Sequence, residues 1–252
     1  MEQTTKSSKN VLLLATAIFS LALIVSATVL ATYLYQFHAG PNTITVTGST
    51  QQVITSDVAQ WNGSFSRTVG TDGVKTGTDE IAKDTSDVIA YLHANKITDD
   101  EITLDPLSIT TNYNTDTDSQ GHSTQVFTGY TITQGFTVQS NDITKIGKAA
   151  TGSGSLIAQG ILFQTSSPVY YYSKLADLKI QLLSAATQDA KSRAQKVADN
   201  TNSSLGKLRS AYMGVTQITA ENSSDVSEDG YYDTSSIKKD VTVVVHATFF
   251  VQ

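Results

Sequence analysis

The chain has 252 residues, enough for one sizeable domain or two small ones beyond a targeting segment. Its formal net charge is −6, and no basic stripe offsets the acidic residues, so it would repel phosphate backbones and we expect no nucleic-acid partner. The sequence contains no cysteine, which excludes disulfides, thiolate metal sites and thiol nucleophiles. The fold must therefore be held by its own core.

The N-terminal region contains an apolar run, residues 11–35, with no charged side chain. A helix of this length spans roughly 37 Å, enough to cross a hydrocarbon core of about 30 Å. Lys6 and Lys9 precede the run and the next lysine or arginine is Arg67, so the positive-inside rule puts the N-terminus in the cytoplasm. We predict a cytoplasmic flank at 1–10, a transmembrane signal-anchor helix at 11–37, a linker at 38–43 and an extracytoplasmic domain at 44–252.

Two alternatives compete with the signal-anchor interpretation. A cleaved signal peptide has an apolar region of about 7–15 residues, which is shorter than this run. A buried core helix fits poorly with an uninterrupted apolar run beside a basic flank. Cleavage would leave the same domain outside the membrane, so the predicted location of the domain does not depend on it.

Strand and helix patterns follow one another after the linker. Period-two alternation predicts strands at 44–50 and 56–68, the second with Val58, Trp61 or Phe65 as inward anchors. A helical stripe then predicts a helix ending near Leu92. It is built from Ile81, Val88 and Leu92, widened by Ala82 and Ile89, with Asp79, Glu80 and Asp84 toward its positive end.

The second half of the domain begins with a strand at 102–112 that is interrupted by Pro106. A polar hairpin loop at 112–125 leads to a long strand at 126–140. A short helix at 142–150, a strand at 156–166 and the clearest amphipathic helix, at about 170–200, come next. Strands at 205–217 and 240–252 flank an acidic loop at 221–233. The order predicts an α+β fold: a mainly antiparallel sheet with helices packed on it, in two ββαβ-like parts.

Several segments together resemble the SIMPL-domain family. The opening strand ITVTGST is similar to the family's I-x-V-x-G, and GYTIT is similar to its G-Y strand leading to a short helix near an aspartate. The long helix resembles a D-A-x-x-x-A-x-x-x-A pattern that ends at an L-G turn. The matching positions are Gly129, Tyr130, Asp142, Asp189, Ala190, Ala194, Ala198, Leu205 and Gly206.

The resemblance covers roughly residues 44–252 and implies the SIMPL fold. It also implies an exported or envelope-associated protein, with links to oxidative stress or to kinase-type partners. The family motifs are structural patterns without catalytic side chains, so the resemblance implies no particular activity.

No residue pattern in the sequence predicts a catalytic, cofactor or metal site. The four histidines lack metal-ligand spacing, and we interpret each as an isolated surface or interface residue. They are His38, His93, His122 and His246. The adjacent carboxylates Asp99 and Asp100 do not form a glycosidase pair. We therefore expect a non-enzymatic protein without a cofactor.

Two loops resemble ion-binding patterns only in part. Asn112, Asn114, Asp116 and Asp118 alternate as in a calcium loop, but Ser119 replaces the required glycine and no glutamate closes the loop. The segment TGSGS at 151–155 lacks the lysine of a phosphate-binding loop. We interpret both as ordinary solvated turns.

The tyrosines and the asparagine acceptor triplets leave alternatives open. Tyrosines 170–172 either cap the core or belong to a partner-binding patch with Tyr231 and Tyr232. The triplets beginning at Asn62, Asn202 and Asn222 match a glycosylation pattern that a serine-rich chain also produces by chance.

The function expected from the sequence is a membrane-anchored binding or interaction module in the cell envelope, with a possible link to stress response. Its partners would be the lipid bilayer, through the N-terminal helix, and an envelope protein or further copies of itself. The first alternative is a homo-oligomeric scaffold in which the β-prone C-terminal strand pairs across subunits. A hydrolase with an acidic site is the second alternative, and a deep pocket with two or more carboxylates would favour it.

Overall fold

A computed structural model describes residues 3–38 and 42–252, and the side chains of residues 14–34 and 42–252. The N-terminal helix α1 runs from Gln3 to His38. Its stretch Leu14–Leu34 has a mean hydropathy of 2.3 and no buried residues. The helix is thus long and apolar enough to cross a membrane, a property shared by membrane spans and N-terminal signal sequences. Residues 39–41 of the predicted linker lie outside the described residues.

The rest of the described chain contains ten strands and four α-helices. The strands are β1 Thr43–Thr55, β2 Val58–Val69, β3 Ile102–Leu104, β4 Ser108–Thr117, β5 Ser123–Ser140, β6 Leu162–Thr165, β7 Val169–Tyr171, β8 Leu205–Met213, β9 Gln217–Ala220 and β10 Lys238–Val251. The helices are α2 Val74–Ala94, α3 Ile143–Gly152, α4 Gly154–Ala158 and α5 Leu175–Asn200, with a short 3-10 helix at Asp99–Glu101. The α+β class and the antiparallel pairing are confirmed, but the strands form two sheets.

The chain divides into two compact units. The first comprises residues up to Val46, Ser192–Ala211 and Ala247–Gln252. In it, the backbone N–H of Val251 donates to the carbonyl of Asn42 at 3.0 Å. The second unit comprises Thr47–Lys191 and Tyr212–His246 and contains both hydrophobic cores.

The six-stranded sheet carries the larger core, and its strand order is β3-β5-β2-β6, with β4 also paired to β5 and β7 to β2. Alternate residues of β2 and β5 point inward because side chains of a strand alternate between its faces. Trp61 and Phe136 meet edge to face with ring centroids 5.4 Å apart. Helix α2 covers these rings with Ile81, Val88 and Leu92, which confirms these three residues of the predicted stripe. Ala82, predicted to widen the stripe, is exposed.

The four-stranded sheet is β1-β10-β8, with β9 also paired to β10. Its core joins the apolar residues of β10 to Leu178, Leu182 and Ala186 of α5. Helix α5 presents a buried stripe of alanines, which lets it approach a sheet closely. These are Ala186, Ala190, Ala194 and Ala198, whereas Ala185 and Val197 of the same helix are exposed.

Several predicted boundaries of strands and helices are wrong, each where the backbone hydrogen bonding differs from what the hydrophobic pattern of the sequence predicts. The hairpin turn is only residues 118–122, because the polar residues around it pair as β4 and β5. Residues 154–158 form α4 rather than the start of a strand. The long helix begins at Leu175, because residues 169–171 pair with β2 as β7. The break at Pro106 is confirmed and separates β3 from β4.

The C-terminal strand β10 is central in its sheet, with β1 and β8 paired on its two sides. This corrects the expectation that a free edge of this strand pairs across subunits. Its high β-propensity and apolar character suit a central strand. The backbone N–H and C=O groups on both of its edges are hydrogen-bonded to neighbouring strands, and one of its faces is buried.

Asp84 lies on the buried stripe of α2, although the sequence predicted only that it is one of the acidic residues toward the positive end of the helix. Its carboxylate accepts two hydrogen bonds from the Arg67 guanidinium, at 2.6 and 2.8 Å. The Asp84 side chain is 4% exposed. A buried carboxylate needs such a partner because desolvation otherwise disfavours its charge.

Gly48 sets the closest approach of α5 to β1. A Cβ atom at this position would lie 2.2 Å from the Ala186 carbonyl oxygen and 2.4 Å from the Ala190 nitrogen. We expect Gly48→Ala to lower the free energy of unfolding by about 3 kcal/mol, because backbone atoms must shift.

Chemical denaturation of the detergent-solubilised full chain, followed by circular dichroism, measures this loss. Gly70→Ala is the control, since nothing lies within 4 Å of a Cβ there. Equal stability of the two variants would contradict the proposed close packing.

Candidate binding groove

Helix α3 is fixed at both its start and its inner face. The Asp142 carboxylate caps the helix by accepting hydrogen bonds from the backbone N–H groups of Thr144 and Lys145, at 3.1 and 3.2 Å. Ile146 and Ala149 are fully buried in the larger core. The cap and the buried face confirm the short helix predicted near Asp142. The outer face of α3 takes no part in these contacts.

An open groove with a volume of about 640 Å³ follows that outer face. Gly147 lies beside Tyr170 in this groove, and a Cβ there would lie 3.7 Å from the Tyr170 hydroxyl, an ordinary van der Waals contact. The surface is mostly apolar, supplied chiefly by Ile143, Tyr170 and Ile237. We call this the α3 groove, and its lining residues are Ile143, Thr144, Gly147, Lys148, Thr151, Gly152, Tyr170 and Ile237.

A second depression of about 250 Å³ shares Thr144 and Lys148 with the α3 groove. We call it the lysine end; it is lined by Ala94, Asn95, Lys96, Asp142, Thr144, Lys145 and Lys148. Lys96 and Lys148 are exposed, and neither has an ion-pair partner within the described residues. An apolar channel therefore continues into a positively charged end.

Lys145, the third lysine of this end, is held by Glu101. Its Nζ donates to the Glu101 carboxylate at 2.6 Å and to the Lys96 carbonyl at 3.1 Å. Burial of the Glu101 carboxylate opposes its ionisation, but hydrogen bonds from Lys145, Ser140 and Thr98 outweigh it and lower its pKa to about 2. This ion pair joins α3 to the 3-10 helix that follows α2.

The outer face of the six-stranded sheet carries a different groove, polar and about 560 Å³ in volume. Asn62 accepts a hydrogen bond from Thr137 across it at 2.9 Å. The Asp105 side chain lies over Gly135, where a Cβ would meet its carboxylate at 2.3 Å. Each of these three depressions is lined by at most one carboxylate side chain, so none of them gathers the acidic pair expected of the hydrolase alternative.

The three histidines whose side chains the structure describes lie apart from one another. His93 contacts Asp99 at 2.8 Å and His122 contacts Asp118 at 3.1 Å. His246 accepts from or donates to Thr47 at 3.0 Å and stacks on Tyr212 with ring centroids 4.7 Å apart. The side chain of His38 lies outside the described residues. Within the described part of the chain, no three His, Asp or Glu residues are grouped so that they could hold a metal ion.

The remaining loop candidates have structural contacts. Asp118 accepts backbone hydrogen bonds from Gln120 and His122 and thereby closes the β4–β5 turn. The TGSGS segment joins α3 to α4, and Asp99 and Asp100 lie in the 3-10 helix. Of the acceptor triplets, the one at Asn62 lies within β2, whereas Asn202 and Asn222 occupy left-handed turn positions with φ of 53° and 64°.

The structure places Tyr170 and Tyr172 against the hydrophobic cores, as the capping alternative predicted, whereas the partner-binding patch stays a prediction. Tyr170 packs against the larger core and also lines the α3 groove. Tyr171 and Tyr232 lie close together, with ring centroids 6.5 Å apart. The sequence did not identify Lys96 and Lys148, because they are 52 positions apart and only the tertiary fold brings them together.

These features define an α+β protein with antiparallel sheets and an open groove that has a cationic end. The chain belongs to the SIMPL family, whose model, described as a protein of unknown function (DUF541), matches residues 44–249. The resemblance seen in the sequence is therefore confirmed. No match was found among curated proteins.

The ion pair under the lysine end predicts an acid-dependent loss of stability. The folded-state pKa of Glu101, about 2, lies below its ordinary value of 4.5, so its contribution is complete above pH 4.5 and is lost as the pH falls toward 2. We expect Glu101→Gln to remove on the order of 2 kcal/mol at neutral pH and to flatten this part of the pH profile.

Denaturation of the full chain in detergent at several pH values between 7 and 2 measures both effects. Asp100→Asn, in the same 3-10 helix, is the control, and no ion pair of Asp100 occurs among the described residues. Parallel pH profiles for Glu101→Gln and the unmodified chain would contradict the assigned role.

Proposed function

We propose that this chain is a membrane-anchored, extracytoplasmic binding module of the cell envelope and has no enzymatic activity. The observation that carries the proposal is the α3 groove, an open apolar channel that leads to two lysines with no ion-pair partner among the described residues. Such a surface suits a partner with an apolar anchor and negative charge. The family resemblance supports a link to stress response, at the level of the family.

Helix α1 supports the anchoring part of the proposal. Its apolar stretch is longer than an ordinary signal-peptide core, and both flanking lysines lie on its N-terminal side. An anchor confines the domain to a thin layer at the membrane and so raises its effective concentration toward partners there. A shallow groove with modest affinity would then be sufficient for binding.

The proposed topology can be tested with single cysteines, because the chain has none of its own. We expect a membrane-impermeant maleimide added to intact cells to label Ser119→Cys, in the exposed β4–β5 turn, but not Ser7→Cys. Both variants should react after the membrane is opened. Labelling of Ser7→Cys in intact cells would contradict the topology, and loss of the N-terminal segment from the purified chain would identify a cleaved signal peptide.

The binding role can be tested by photo-crosslinking from the groove. A photoreactive amino acid in place of Thr151, in full-length protein in its native membrane, should give a discrete adduct. We expect the double substitution Lys96→Glu and Lys148→Glu to lower the adduct yield at least about fivefold, because it reverses both unpaired charges.

Lys83→Glu on the outer face of α2 is the matched control and should leave the yield unchanged. A photoreactive residue at Ser119, outside the groove, should not give the same adduct. Absence of any adduct from Thr151, or an adduct insensitive to both lysines, would overturn the proposed binding role.

A further inference from the structure

The acidic loop at residues 221–233 has a tip, residues 225–229, that is acidic and has one apolar residue at its surface. Val226 is 81% exposed, the highest value among the exposed large apolar side chains of the described residues. Asp225, Glu228 and Asp229 surround it and have no ion-pair partner within the described part of the chain. An exposed valine among three carboxylates combines an apolar side chain with negative charge, the two features of a partner that the α3 groove suits.

The loop tip is held in place by hydrogen bonds. The Gln217 side chain donates to the Ser227 carbonyl at 2.6 Å and accepts from the Ser227 backbone N–H at 3.4 Å. Ser223 donates to the Asp225 carboxylate at 2.8 Å, and Gly230, with φ of 90°, closes the turn onto Ser227. A preformed loop loses less conformational entropy when it binds than a disordered segment does.

From these two surfaces we infer that the α3 groove of one copy binds the acidic loop tip of a second copy. Val226 would enter the apolar channel beside Ile143 and Tyr170. Glu228 and Asp229 would reach the unpaired Lys96 and Lys148. The inference rests on the proposed binding role and names the partner of the same groove.

The contact joins two different surfaces and is therefore heterologous. Each copy keeps one free groove and one free loop, so successive copies form a closed ring or an open chain. This assembly differs from pairing through the C-terminal strand, which β1 and β8 already cover. The anchor would favour the contact by holding all copies in one membrane plane.

Disulfide trapping between two differently tagged full-length chains tests the inference. One chain carries Thr151→Cys in the groove and the other Val226→Cys in the loop, and both are expressed in the same membrane and oxidised with copper phenanthroline. We expect a mixed dimer. The pair Thr151→Cys with Ser119→Cys is the positional control and should give at least about fivefold less product.

Charge reversal separates a specific contact from a folding defect. We expect Lys96→Glu with Lys148→Glu in the groove chain to lower the mixed-dimer yield about fivefold, as loss of about 1 kcal/mol would. Adding Glu228→Lys with Asp229→Lys to the loop chain should restore the yield to within about twofold of the original.

Equal trapping with Ser119→Cys, or no recovery on charge exchange, would overturn the inference. If the photo-crosslink from Thr151 joins a different molecule while the mixed dimer is absent, this self-association is wrong and the binding role stands. If the groove gives neither product, both proposals fail.

Discussion

The antiparallel pairing of β2 with β5 is the interaction on which the larger core and the groove depend. It runs from Ala59 opposite Ser140 to Val69 opposite Tyr130. Because the register is fixed over this whole length, the inward-facing rings of both strands fall on one face, where α2 and α3 cover them. The shorter strands β3, β4, β6 and β7 pair only with these two strands. The position of α3, and with it the groove along its outer face, follows from this register.

Charges in the domain divide into those that hold the fold and those available to a partner. Arg67 with Asp84 and Lys145 with Glu101 are paired in partly buried positions. Lys239 is 1% exposed beside Asp233; burial lowers the pKa of Lys239, and that carboxylate opposes the shift. Burial also opposes ionisation of Asp233, but hydrogen bonds from Ser235 and Ser236 outweigh it and lower its pKa. Such pairs are costly to break but offer nothing to a ligand, because each charge is already neutralised.

The lysines of the groove and the carboxylates of the loop tip are different, because they are exposed and unpaired among the described residues. Exposed single charges contribute little to stability and much to the rate and specificity of association. Their neighbours are apolar, Ile143 and Tyr170 in the groove and Val226 in the loop. The proposed binding role relies on this combination of apolar side chains and unpaired charge, and the proposed membrane anchor would raise the effective concentration of partners for it.

The sequence by itself determined the apolar N-terminal helix, the α+β class, most strands and the family, because these depend on local periodicity and on motif order. The stripe of Ile81, Val88 and Leu92 and the cap at Asp142 could be predicted for the same reason. The tertiary structure decided which strand is central, that Asp84 is buried against Arg67, and that residues 169–171 leave the helix to pair with β2. It also brought Lys96 beside Lys148. These features depend on contacts between residues far apart in the chain, and hydrophobic periodicity carries no information about which distant segments meet.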